Sequence, residues 1–226
     1  MRARSTIFIC ALGMVAACQQ ASEAPATART SEPNGAIEAS EVVNDGVIAA
    51  SEVNCTYPVK RSDTAQDVLT RFGDDAARTD IHVGEGFFVP GIVLWGDDPT
   101  RKIEVVFAEE NGSGPVAYLD FAGDAAWTVG GVAIGDSATR VQDINGEPFR
   151  FYGFEWDYGG RLIDMGSGAL ADLGGCTSKL DLNYSYEDVN LADDFIGDRA
   201  VSSDASGLPA DKLTVWRLGI SFEEQW

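Results

Sequence analysis

The stretch DSATRVQDING, residues 136–146, decides the fold, because its pattern has already appeared once in the chain, as DTAQDVLTRFG at residues 63–73. Both copies open on an aspartate followed by a hydroxyl residue, the signature of a helix N-terminus. Both close on glycine, which takes the positive φ required just past a helix end. In the first copy Ala65, Val68, Leu69 and Phe72 recur at i, i+3, i+4 and i+7 and mark one apolar helix face. The second keeps Ala138, Val141 and Ile144.

The segments downstream of the two helices also match. After the first come GFFVPGIVLW (residues 86–95), a turn at Gly96–Pro99, and a second apolar run from Arg101 to Phe107. After the second come FRFYGFEWDYGGR (residues 149–161), with its turn at Tyr158–Gly160, and a run from Arg161 to Met165. Further strands are predicted at 116–121, 179–184 and 213–222. The expected fold is therefore α+β: two helix-plus-β-meander repeats, near 60–107 and 133–184, forming a mainly antiparallel sheet with the helices on one face.

The second copy carries a resemblance. Ile134-Gly135-Asp136-Ser137 before the helix and Asn145-Gly146-Glu147-Pro148 after it resemble the tandem unit of the β-lactamase inhibitory protein family and of small outer-membrane lipoproteins of the barrel-assembly machinery. The first copy, with Arg61-Ser62-Asp63-Thr64 and Phe72-Gly73-Asp74-Asp75, departs from that pattern. The resemblance implies an architecture and a binding role, and it assigns no functional residue.

The N-terminal sequence predicts an address. Arg2 and Arg4 precede a short apolar run from Ile7 to Val15, too short to span a bilayer and typical of a secretory signal over residues 1–17. It ends in Val15-Ala16-Ala17-Cys18, which resembles the lipobox of bacterial lipoproteins. That resemblance implies lipidation at Cys18 and attachment to a membrane through this anchor. Gln19 in the next position implies, by the same likeness, the outer membrane of a Gram-negative cell envelope. Residues 18–54 are rich in Ala, Ser, Glu and Pro without an aromatic ring, so they cannot bury enough apolar surface to order themselves. They read as a disordered tether that spans on the order of 30 Å. Residues 55–226 are left as one globular domain. With Cys10 in the signal and Cys18 lipidated, Cys55 and Cys176 remain as an even pair in an oxidising compartment, and a disulfide is expected between them.

The 226-residue chain has 36 acidic against 16 basic residues, a formal charge of −20. Such a charge repels nucleic acid and anionic lipid headgroups, so neither is expected as a partner. Machinery for nucleophilic catalysis is sparse: His82 is the one histidine in the sequence, and no GxSxG motif accompanies it. Met165-Gly166-Ser167-Gly168 lacks the lysine of a phosphate loop and reads as a plain loop. Asp97-Asp98, Asp193-Asp194 and Asp198 lack the spacing of a calcium loop, so no metal site and no cofactor are expected.

The densest chemistry lies in residues 149–158, where six aromatic rings flank two acids. Read as a continuous strand, alternation puts Tyr152, Phe154 and Trp156 under the second helix and turns Glu155 and Asp157 outward. A bulge at Gly153 would instead release Trp156 to join the two acids at the surface. Glu155, Asp157 and Trp156 are the candidate ligand-binding residues, since acid beside aromatic suits a sugar or a basic peptide. Two function classes stay open. One is an envelope-anchored, non-enzymatic binding module for a protein or glycan. The other is a periplasmic hydrolase working through carboxylates, with calcium assisting.

Overall fold

The computed structural model describes residues 51–222. Both predicted helices are there, α1 (Ala65–Phe72) and α2 (Ala138–Asn145), and in each the cap is the hydroxyl residue. Thr64 accepts from the N–H of Asp67, whose carboxylate accepts in turn from the Thr64 N–H, and Ser137 accepts from the N–H of Arg140. The aspartate before each cap has a different task. It accepts a backbone N–H from three residues upstream, from Lys60 to Asp63 at 3.0 Å and from Ala133 to Asp136 at 2.8 Å. Asp63 also takes a two-pronged bond from Arg71, with both contacts at 2.7 Å. Gly73 and Gly146 end the helices at φ of 54° and 78°.

The fold mixes α and β, with few helices and mostly antiparallel sheet. A meander of β1 (Ala76–Gly84), β2 (Phe87–Leu94), β3 (Ile103–Phe107) and β4 (Val116–Ala122) comes after α1. Two later strands, β9 (Thr177–Asn183) and β11 (Thr214–Ser221), complete a six-stranded sheet in the order β1-β2-β3-β4-β11-β9. After α2, β7 (Arg150–Tyr152) and β8 (Leu162–Asp164) do not extend this sheet; they join β10 (Ala200–Ser202) in a separate three-stranded one. A small ribbon of β5 (Thr128–Val129) and β6 (Val132–Ala133) precedes α2. The sequence does not announce β1, because that strand has no buried face to impose alternation: Ile81 is its one fully buried residue.

One face of the large sheet makes the core. Ile92, Leu94, Ile103, Val105, Leu119, Leu218, Ile220, Leu180 and Leu182 meet Ala65 and Val68 of α1, Ala138 and Val141 of α2, and Phe149 and Phe151 of β7 in one apolar cluster. Each large side chain fully buried there contributes about 1.5–3 kcal/mol. The chain enters the fold a few residues before the expected boundary at Cys55. Glu52 bridges Thr128, and Val53 is buried in the core, so apolar Val53 belongs to the domain and not to the tether. Cys55 and Cys176 form the expected disulfide, with Cα atoms 5.4 Å apart. Cys18, the signal and most of the tether lie outside the described residues. Among the described residues no helix is long and apolar enough to cross a membrane.

Candidate functional site

The other face of the large sheet is not apolar. On β4, β9 and β11 the outward positions are Tyr118 and Asp120, Lys179 and Asp181, and Arg217 and Gly219, which the strand register sets side by side: Asp120 and Lys179 both stand opposite Gly219, and Asp181 opposite Arg217. Lys179 on β9 reaches across the intervening strand β11 to Asp120 on β4, with Nζ at 2.6 and 2.8 Å from the two carboxylate oxygens. Glycine at 219 is what permits this crossing. A Cβ there would stand 1.9 Å from the Leu119 carbonyl oxygen and 2.8 Å from the Asp120 carboxylate. Tyr118 lies beneath the Lys179 ammonium, 4.8 Å from its ring centre, and burial, with the charge of Asp120, raises the phenol well above its ordinary pKa.

Arginines extend the array. Arg217 lies 3.8 Å from Asp120 and 3.9 Å from Asp181, and Arg161 lies 3.8 Å from Asp181. These are long pairs, beyond hydrogen-bond reach. Arg161 Nε and Asp181 Oδ1 are both buried and without a hydrogen-bond partner. Each guanidinium is stacked on a ring, Arg161 on Tyr158 at 4.5 Å and Arg217 on Trp216 at 4.9 Å. The register of β11 against β9 shifts between Val215 and Arg217, and this bulge at Trp216 keeps Val215 in the core while both Trp216 and Arg217 line the outer side.

Walls rise on either side of this charged floor. One is the tip of the β1–β2 hairpin, Gly84-Glu85-Gly86-Phe87, where Phe87 is 66% exposed. The other is the loop after β7. The chain breaks strand geometry at Gly153, and Glu155 adopts φ of 66°, an uncommon conformation for a residue with a side chain. The loop is fastened to the edge of the large sheet where the Leu182 N–H donates to the Gly160 carbonyl, an approach so close that a Cβ at Gly160 would lie 1.9 Å from the Leu182 oxygen. Across the groove the Glu85 carboxylate of the hairpin, more than burial, raises the Tyr158 phenol above its ordinary pKa. Two cavities result, of about 670 and 480 Å³, and both are lined by Tyr158 and Arg161.

The aromatic stretch thus splits differently from the expected alternation. Phe149, Phe151 and Phe154 are the core residues, whereas Tyr152 and Trp156 line the second cavity. Phe151 of β7 and Phe149 just before it face inward, and the break at Gly153 shifts the phase, which turns Phe154 inward as well. Trp156 stacks edge-on against Tyr152 and Tyr158, with ring centres 5.4 and 5.3 Å away, and its indole N–H donates to the Gly153 carbonyl at 2.7 Å. The three candidate residues are not brought together as one patch. Trp156 lines one cavity and Asp157 the other, while Glu155 accepts a hydrogen bond from the Tyr184 hydroxyl at 3.0 Å and lines neither.

Sequence reasoning does not single out Arg161, Lys179, Asp120, Asp181, Trp216 or Arg217. A signal for them exists: charged residues at every second position of the otherwise apolar run of β9, and single charges within the apolar runs of β4 and β11. His82 lines the first cavity beside Glu85 and Phe87. The Met165–Gly168 stretch is a loop held to the end of α2, where Asn145 donates to the Met165 carbonyl and accepts from the Leu170 N–H. Among the described residues no three His, Cys, Asp or Glu side chains converge as a metal site requires. A scan against protein-family models, a search of curated proteins and a search of solved structures each found no match.

Proposed function

We propose that this chain is an envelope-anchored lipoprotein whose domain is a non-enzymatic binding module, holding a protein or glycan ligand in the groove over the outer face of its large sheet. One observation carries the reading: a sheet face that would otherwise be open to water holds a ring-walled cleft with charged groups of both signs on its floor. Clefts of this volume with a few convergent polar groups are the usual form of a binding site. The floor carboxylates are engaged by cations, Asp120 by Lys179 and Asp181 by two arginines at longer range, which suits recognition better than hydrolysis. Anchoring through Cys18, residence at the outer membrane of a Gram-negative bacterium and reach through the tether complete the reading, and they rest on the sequence. The same reading takes α1 and α2 as copies of one duplicated unit. Its support is the matched pair of aspartates, each closing the turn before its helix through the same backbone bond.

Two measurements test it. Labelled palmitate should enter the wild-type protein in cells and not Cys18→Ser; equal labelling of both overturns the anchor. Immobilised protein should retain a component of envelope extract that a Trp156→Ala/Arg161→Ala double variant releases. Retention unaltered by the double variant, or turnover of hydrolase substrates lost on Asp181→Asn, overturns the groove as a binding module.

A further inference from the structure

We infer that the groove takes an uncharged oligosaccharide, lying across the outer face of the sheet with Tyr158 and Arg161 between two sugar subsites. This rests on the groove being the binding site and adds the class of ligand. The shape of the site comes first. Its two cavities adjoin at one stacked pair, Tyr158 and Arg161, so the ligand is extended and presents similar chemistry twice. A chain of sugar rings does this.

The lining fits the two sides of a pyranose. A sugar ring has apolar C–H faces and a polar edge of hydroxyls, each both donor and acceptor. Tyr152, Trp156 and Tyr158 on one side, and Phe87 and Trp216 on the other, offer apolar rings for the faces. For the edge, the ring stacking on Arg161 and Arg217 occupies the flat surfaces of the guanidiniums and leaves their N–H edges as donors. Asp181 lies between them, at 3.8 and 3.9 Å, so donors and an acceptor stand side by side on the floor. A hydroxyl group serves both at once; a carboxylate or phosphate serves only the first, and an ammonium only the second.

Charge narrows the class further. A polyanionic glycan would pass Glu85 and Asp157 at the first cavity and Asp198 at the second, on a chain of net charge −20. A basic peptide would find the lining acids Glu85, Asp157, Asp181 and Asp198 nearly matched by Arg161, Arg217 and Lys179. A ligand of hydroxyls pairs with groups of both signs and needs no net charge.

The test uses the full-length lipidated protein in detergent against defined tetrasaccharides. The neutral set is cellotetraose, maltotetraose, mannotetraose and chitotetraose; a sulfated heparin tetrasaccharide and a tetralysine peptide are the charged comparisons. Binding is read by titration calorimetry and by fluorescence of the groove tryptophans. At least one neutral tetrasaccharide should bind, with its disaccharide weaker by roughly tenfold or more. Trp156→Ala and Arg161→Ala should each weaken it by about tenfold or more, as truncation of an anchor does, while Tyr186→Ala, on an exposed ring away from both cavities, should not. Binding confined to the charged ligands overturns the uncharged oligosaccharide and leaves the groove standing. So does failure of every neutral sugar while the extract component is still retained through Trp156 and Arg161. Neutral-sugar binding indifferent to both substitutions overturns the placement in the groove.

Discussion

Two aromatic clusters, each with an arginine laid on a ring, are put to opposite uses. In the first, Phe72 of α1 meets Trp95 edge-on at 5.3 Å, Trp95 meets Trp127 at 5.4 Å, and Arg101 lies over Trp95 at 4.4 Å. Trp95 and Trp127 are 6% and 4% exposed and belong to the core. In the second, Trp156 contacts Tyr152 and Tyr158 at similar ring spacings and Arg161 lies over Tyr158 at 4.5 Å, yet these rings line an open groove. Each cluster also contains a residue with a side chain at positive φ. In the first it is Trp95 itself, at 51°, and full burial of its ring offsets the backbone strain. In the second it is Glu155, at 66°, whose side chain gains only one bond at the surface, from Tyr184. Burial of Tyr184, with hydrogen bonds to Tyr186 and Glu155, raises its phenol well above the ordinary pKa. The difference teaches that ring density alone does not separate core from site. What separates them is whether the backbone strain is offset by burying the strained residue or serves to present its neighbours.

The largest expected effect breaks the first cluster. Trp127→Ala removes a buried indole whose N–H donates to the Arg101 carbonyl at 2.9 Å, and it should cost about 3–5 kcal/mol in urea unfolding. A cost below about 1 kcal/mol would mean that the two clusters do not differ. The next removes a brace beside that cluster. Cys55 lies two residues from Tyr57, which stacks on Trp127, and replacing both Cys55 and Cys176 by alanine should cost about 2–4 kcal/mol. If reduction leaves the melting temperature unchanged, the bridge is no brace.

A smaller effect concerns Asp63 and Arg71, which hold the start of α1. Burial acts to raise the Asp63 pKa, but the Arg71 hydrogen bonds, the Lys60 N–H and the nearby positive charges outweigh it and bring the folded value below the ordinary 3.8. A depressed folded pKa gives stability that is full above the unfolded value and is lost as pH falls through the folded one. Asp63→Asn should therefore cost about 1.5 kcal/mol at neutral pH, and the loss should shrink below about pH 3.8. A constant difference across that window would remove the pair as its cause.

The smallest effects sharpen the second cluster. Trp156→Ala should cost under about 1 kcal/mol, since its ring is half-buried in a groove wall, and Glu155→Ala within about 0.5 kcal/mol. If Trp156→Ala costs as much as Trp127→Ala, the groove wall is core and the ligand candidates must be sought elsewhere.

Sequence by itself determined the elements whose causes are local. The i, i+3, i+4 faces and hydroxyl caps placed α1 and α2 because helix signals lie within a dozen neighbouring residues. The apolar runs of β2, β3, β4, β9 and β11 announced themselves in the same way, and so did the Cys55–Cys176 pair once the other cysteines were assigned. Tertiary structure decided what depends on pairing. Only the sheet order, with β11 inserted between β4 and β9, puts Lys179 two strands from Asp120 with a glycine between them. Only the break at Gly153 and the bulge at Trp216 set which rings face the core, because a one-residue shift in a strand moves every later side chain to the opposite face. Alternation can be read from a sequence, but its phase is fixed by partners far along the chain, and the groove exists only where two such phases meet.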